Sequence, residues 1–262
     1  MKESWDSRIQ RAEKLAAERP ESNELLAFYA CLLRSQKNIY EYLRTRQSWL
    51  PSGELARDLP VLRRGVSNLF ETVEANAPES LALEARSILR ASASEVEEML
   101  IEYWRSPSDL QFFAKAILQP YANWLHEVGA KPLDRKLESG ENRCPFCYGK
   151  PQVSVLLIKE TTSETGGRDL ICADCLTAWP FRRVVCANCG EENPAKIGYY
   201  HSPEFDHIRI EACDSCQHYI KAVDLTKYGL AIPLVDEVAS APLDLWAREH
   251  GFAKIEMNLV GV

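Results

Sequence analysis

Apolar positions recur at three- and four-residue steps through the first 137 residues, which is the period of a helix with one buried face. Trp5, Ile9, Ala12 and Ala16 line a first helix that ends near Pro20. A second begins at Glu21 and carries Leu25, Phe28, Tyr29, Leu32, Ile39 and Leu43, until Pro51, Ser52 and Gly53 supply turn chemistry. Val66, Leu69, Phe70 and Val73 predict a third. Pro78 suits the first position of a fourth, with Leu81, Ala85, Ile88 and Leu89 inward. Ser94 and Glu97 match a capping box ahead of Met99, Leu100 and Tyr103. A last helix is expected over 108–128, with Phe112, Phe113, Ile117, Tyr121, Trp124 and Leu125 apolar, a stop at Gly129, and a kink or break at Pro120. Six helical stretches with short breaks describe a bundle.

The period then changes. Residues 131–143 are polar and loop-like, and beyond them the apolar runs are of β type: 153–158, 168–171, 182–185 and 208–212. After Gly229 one more amphipathic helix is expected over 235–250. The reading is an α+β chain: a helical bundle at 1–137, a first β module at 138–181, a second at 182–228, and a C-terminal helix and tail at 229–262.

Eight of the nine cysteines fall within the β part as four CxxC pairs: Cys144/Cys147, Cys172/Cys175, Cys186/Cys189 and Cys213/Cys216. The gaps between pairs run long, short, long, which groups the first two pairs and the last two. Overlaying Cys144 on Cys186 brings Cys172 close to Cys213, an internal repeat of about 42 residues. Two residues between cysteines let a tight turn aim both sulfurs at one point and offer backbone N–H groups to them. A second such turn, brought opposite by a hairpin, completes a tetrahedron of sulfur. Two metal ions per chain, each held by four thiolates with no open position, are therefore expected. One site with spare thiols, or a thiol-redox pair, is the weaker reading, because no βαβ context surrounds any CxxC. Zinc and iron both accept tetrahedral sulfur, so spacing does not choose between them.

Composition narrows the setting. Nearly half the residues are apolar and 26% are charged, as in a globular chain with its own core. The N-terminus is charged from Lys2 and has no apolar h-region, and no run approaches the ~18 residues of a membrane span. A cytoplasmic protein with reduced thiols is the expectation. The formal charge is −7, and residues 144–220 hold seven Lys/Arg against ten Asp/Glu, so a nucleic-acid partner has no basic patch to bind.

The segments CPFCYGKP, LICADCLTAW, FRRVVCANC and IRIEACDSCQHYIKAV, in that order and spacing, resemble the double rubredoxin-like region of the FdhE-type formate dehydrogenase accessory proteins. Upstream, RIQRAEKLAAERPESNELLAFYACLLRSQ is similar to that family's first helices, and downstream VDEVASAPLDLWAREHGFAK to its closing helix. Tyr148 stands where the family often has a glycine. The resemblance implies rubredoxin-like modules, iron in preference to zinc, and a cytoplasmic maturation factor or chaperone, not an enzyme, that binds the catalytic subunit of a formate dehydrogenase. Two other functions compete: an Fe(Cys)4 electron carrier and a zinc-ribbon regulatory or nucleic-acid-binding protein.

Other residues have plainer readings. Cys31 is expected as a small buried hydrophobe. His201, His207 and His218 are expected at the surface or in a hairpin, His126 in a structural role, and Trp179 packed over the metal module. Arg182 and Arg183 are expected on a solvated linker. No Ser/His/Asp set, phosphate-binding glycine loop or HExxH motif occurs.

Overall fold

The computed structural model describes residues 4–46, 49–135, 138–158 and 167–261. The chain divides into two compact units, residues 1–137 with 174–176, and residues 138–173 with 177–262. Residues 136–137, beside the expected boundary, lie outside the described residues.

The first unit is helical: α1 (Trp5–Glu18), α2 (Asn23–Arg44), α3 (Leu55–Leu62), α4 (Ser67–Asn76), α5 (Glu79–Arg90), α6 (Ala93–Arg105) and α7 (Phe112–Val128). Ser4 caps α1 by accepting the Ser7 N–H at 3.0 Å. The 22-residue α2 packs against α1, α4 and α7 and buries Leu26, Leu32, Leu33, Ile39 and Leu43. α7 runs unbroken through Pro120, where a break or kink was expected. Proline lacks the N–H that would reach the Ala116 carbonyl one turn back. The Gln36 side chain of α2 replaces it, donating from Nε2 to that carbonyl at 2.9 Å.

Three further expectations are corrected. α3, which contains Pro60, adds a helix to the six expected, just after the turn chemistry of Pro51, Ser52 and Gly53. It is anchored by side chains: Asp134 accepts the Leu55 N–H at 2.8 Å, and Asp58 accepts the Ser52 N–H and the Tyr121 hydroxyl, the latter at 2.8 Å. Gly53 has φ +82°, and a Cβ there would lie 2.2 Å from the Lys131 carbonyl oxygen, so only glycine fits. The capping box falls two residues earlier than expected, with Ser92 and Glu95 exchanging bonds at the start of α6. Cys31 is half-buried, with Arg34 Nη1 3.7 Å from its sulfur.

The second unit is built on one sheet of β1 (Pro151–Leu157), β2 (Gly167–Cys172), β3 (Ala178–Pro180), β4 (Ile197–His201), β5 (Ile208–Cys213), β6 (His218–Asp224) and β7 (Ala253–Lys254). The order is β3-β2-β1-β6-β5-β4, with β7 pairing β6. Each repeat contributes an antiparallel trio, and the trios join through a parallel β1–β6 ladder that sets Val153 against Lys221 and Val155 against Val223. Arg182–Val185, expected as a strand, is a turn. The carbonyls of Arg182 and Val185 each accept from Arg168 Nη1 at 2.9 Å, a pull that overrides the β-propensity of Val184 and Val185. The single helix expected over 235–250 is two, α8 (Pro233–Ala239) and α9 (Ala241–Glu249), divided at Ser240. α8 packs on β1 and β6 and is buried along its whole length.

Candidate metal centres

Each CxxC sits on a tight turn whose geometry repeats four times. The residue directly after the second cysteine has positive φ in every case: Tyr148 (62°), Leu176 (60°), Gly190 (77°) and Gln217 (55°). Non-glycine residues rarely adopt this region. Its recurrence shows that the turn requires it, so Tyr148 does the conformational work that a glycine does at 190. In three of the turns that residue's N–H returns to the first cysteine's carbonyl: Tyr148 to Cys144 at 2.9 Å, Gly190 to Cys186 at 3.0 Å and Gln217 to Cys213 at 2.8 Å. Each first cysteine of three pairs also donates its own N–H across the turn, Cys144 to Gly149, Cys172 to Thr177 and Cys186 to Glu191. The strands then bring the turns together in pairs. β1 and β2 oppose Pro151 to Cys172, and β4 and β5 oppose Ile197 to Cys213.

The result is two four-sulfur groups, Cys144/Cys147/Cys172/Cys175 and Cys186/Cys189/Cys213/Cys216, each with all its sulfurs within 4.8 Å of one another. A metal–sulfur bond of ~2.3 Å in a tetrahedron requires sulfurs about 3.8 Å apart. Cys186 and Cys216 stand 3.7 Å apart, Cys189 and Cys213 3.8 Å, and Cys147 and Cys172 3.4 Å. These spacings suit four ligands of one ion and are far beyond a disulfide bond of ~2.05 Å. None of the eight is joined in a disulfide. Burial pushes the Cys186 thiol well above its ordinary range, against the N–H groups of Asn188 and Cys189 that approach its sulfur at 3.4 and 3.5 Å. A cation here would displace the thiol proton and take up the charge that burial disfavours. The donor set fits a thiophilic ion, and either centre could hold one.

No histidine belongs to either group among the described residues. His218 Nδ1 lies 2.6 Å from the Cys216 carbonyl, and His207 Nε2 lies 2.9 Å from Asp236. Trp179 is buried and donates to the Glu141 carbonyl at 3.3 Å, beside an open cleft of ≈ 640 Å³ that Pro145, Tyr148 and Phe181 also line. Arg182 is exposed and pairs with Glu192 at 2.8 Å.

Two buried charge clusters went unread in the sequence. Arg168 on β2 is buried, spends Nη1 on the turn carbonyls described above, and binds Ser154 at 2.8 Å and Glu211 at 2.5 Å. It thereby fixes the chain just ahead of Cys186. The other cluster joins Lys221 of β6, Lys254 of β7, Glu237 of α8 and Asp244 of α9, all essentially inaccessible to solvent. Lys221 Nζ reaches Asp244 Oδ2 at 2.5 Å and Glu237 Oε1 at 3.1 Å, and donates to the Glu237 carbonyl at the end of α8. Gln152 and Asn258 donate to Glu237 Oε2, and the Tyr219 hydroxyl to Asp244 Oδ1. The available signal was a lone lysine inside the apolar run Tyr219–Val223.

Comparison with known proteins places this geometry in context. Residues 184–260 match the family model described as FdhE, C-terminal domain. The chain is 32% identical to the Protein FdhE homolog of Aquifex aeolicus, over 97% of this chain and 94% of that protein. It is 28% identical to Protein FdhE of Escherichia coli O1:K1, over 98% of this chain and 88% of that protein. The crystal structure of the FdhE protein from Pseudomonas aeruginosa shares the fold, with a TM-score of 0.70 at 22% identity, covering 100% of this chain and 98% of that one.

Proposed function

This chain belongs to the FdhE family, and on that premise we propose that it is a cytoplasmic accessory protein of formate dehydrogenase. It binds the catalytic subunit of that enzyme during assembly or activation and has no turnover of its own. The observation that carries the reading is the pair of closed four-cysteine sets, which leave no coordination position for a substrate. Cys144, Cys147, Cys172 and Cys175 hold one ion, and Cys186, Cys189, Cys213 and Cys216 the other. Iron is the metal that the family resemblance favours, and zinc the rival. The bundle at 1–137, the modules at 138–181 and 182–228 and the closing segment at 229–262 serve as the working divisions. Among the described residues no helix is long and apolar enough to cross a membrane. A factor that must release its client suits an interface at the small end of the standard range, ~1,200 Å².

Deletion of the gene in its host should abolish formate dehydrogenase activity, and the purified chain should retain the catalytic subunit reversibly on a column. Full activity in the deletion strain with no complex would overturn the assignment and move the electron-carrier reading ahead. Elemental analysis of anaerobically purified protein should find two metal equivalents per chain, and its identity separates iron from zinc.

A further inference from the structure

The two sulfur sets are alike in spacing and unlike in exposure. Cys144, Cys147, Cys172 and Cys175 are each 0% exposed. Cys144 borders the cleft beside Trp179 without presenting any surface to it. In the second set Cys186 and Cys213 are buried, Cys216 is half-buried, and Cys189 is exposed. The surroundings of the second set point the same way. Behind Cys186 and Cys213 the free space is ≈ 10 Å³, room for about one water. Asn188 Nδ2 lies 3.7 Å from the sulfur of half-buried Cys216, while the Asn188 N–H points at Cys186. Beyond Cys189 the chain turns through Gly190, where nothing stands within 4 Å of the place a Cβ would take. A ligand approaching the second set therefore meets Cys189 as its most exposed sulfur.

We propose that the two centres are functionally unequal: the second is the exchange site, entered at Cys189 by a thiol-bearing ligand, and the first keeps its ion as a fixed part of the fold. The inference rests on the reading of all eight cysteines as ligands. With an ion held by the second set, the sulfur of an incoming thiol would replace Cys189 Sγ as a ligand and the thiol's proton would pass to Cys189 Sγ, so that one metal–sulfur bond would form as one broke and no electron would move. The ligand class follows from the donor set: a low-molecular-weight thiol, or a cysteine on a metal donor or acceptor, matches the softness of the ion that four thiolates select. Exposure matters because solvent access governs both the approach of that ligand and the reactivity of the sulfur it displaces.

The test uses the full chain loaded with zinc as the probe metal and mixed with the chelator 4-(2-pyridylazo)resorcinol in the presence of iodoacetamide. Metal release is read by absorbance and alkylation by peptide mass spectrometry. Two phases of one equivalent each are expected, the first about tenfold faster or more. Alkylation should reach Cys189 first and the rest of the second set during the fast phase, with Cys144, Cys147, Cys172 and Cys175 unmodified until the slow one. A single phase releasing both equivalents, or fast-phase alkylation within the first set, overturns the inequality while leaving the eight-ligand reading intact. Fewer than two equivalents at the start refutes the eight-ligand reading and this inference with it.

Discussion

Replacing Lys221 with methionine tests the buried quartet of the second unit. The side chains are similar in length, so packing is largely kept and the change isolates the ammonium. With Lys221 the quartet sums to zero, two lysines against Glu237 and Asp244. Without it, two carboxylates that expose 0% and 2% of their side chains share Lys254 alone, and the buried charge becomes −1. The lost donations are those to Asp244 Oδ2 at 2.5 Å, to Glu237 Oε1 at 3.1 Å, and to the Glu237 and Ser240 carbonyls that end α8. Removing one partner of a buried ion pair costs about 3–5 kcal/mol, because the remaining charge stays buried without compensation. The variant can relieve that charge only by keeping one carboxyl protonated, and each pH unit by which the solution stands above that group's pKa costs about 1.4 kcal/mol. The loss should therefore be larger at pH 7.5 than at pH 5. Adding Asp244→Asn restores a neutral Lys254–Glu237 pair, so the double variant should recover ~1–3 kcal/mol relative to additivity. Urea unfolding of the metal-loaded full chain, with amide exchange read in β6, α8 and α9, measures all three. A loss below about 1 kcal/mol, no dependence on pH, or strict additivity would refute the argument, since each contradicts an uncompensated buried charge.

Acid should act on the same cluster. Burial alone would raise the Asp244 carboxyl, but Lys221 and Lys254 hold it below its ordinary range. A folded value below the unfolded ~3.9 contributes stability that is complete above that pH and lost as pH falls through the folded value. Urea midpoints of wild type and Asp244→Asn should thus converge below about pH 4, and metal loss in acid, common to both, cancels in the difference. Replacing Cys186 with alanine should abolish amide protection across 186–216 while the helical unit keeps its own, since metal binding supplies much of so small a module's stability; protection retained there would refute it. Ser92→Ala removes one half of the capping box of α6 and should lower the stability of the helical unit by about 1 kcal/mol in thermal or urea melts.

What the sequence disclosed followed the rules with a strict period or spacing. Helical period placed the buried faces of α1, α2 and α7, and the CxxC spacing grouped the eight thiols as the structure does. Features that depend on partners distant in sequence were hidden. A helix through Pro120 needs Gln36, 84 residues away, to satisfy the Ala116 carbonyl, and nothing near Pro120 announces that donor. α3 depends in the same way on Asp134. Arg182–Val185 has strand propensity but serves as a turn, because Arg168 gathers its carbonyls. The split at Ser240 follows a helix end whose carbonyls are taken by Lys221, and the quartet itself joins residues up to 33 apart that share no local pattern. The capping box lay two residues from its expected place, because Ser92 with Glu95 and Ser94 with Glu97 offer the same local signal.

The sheet order carries a final consequence. Reading β3-β2-β1 and then β6-β5-β4, the two trios lie in the same sense, so the first strand of one repeat meets the third strand of the next. This is a head-to-tail relation, which in contrast to a twofold leaves a free edge at each end and could continue with further repeats. Exposed edges invite pairing with other chains unless something blunts them. At one end β3 is only three residues long and finishes in Pro180, which cannot donate to a further strand. At the other, β4 carries Tyr200, whose ring lies 4.7 Å from Trp246 of α9 and 6.4 Å from Phe252. The C-terminal segment thus packs rings against β4, although Tyr199–His201 of that strand stay exposed. The resemblance seen in VDEVASAPLDLWAREHGFAK acquires a physical meaning: α8 supplies Glu237 to the quartet, and α9 supplies both Asp244 and the Trp246 ring that packs against Tyr200 of β4.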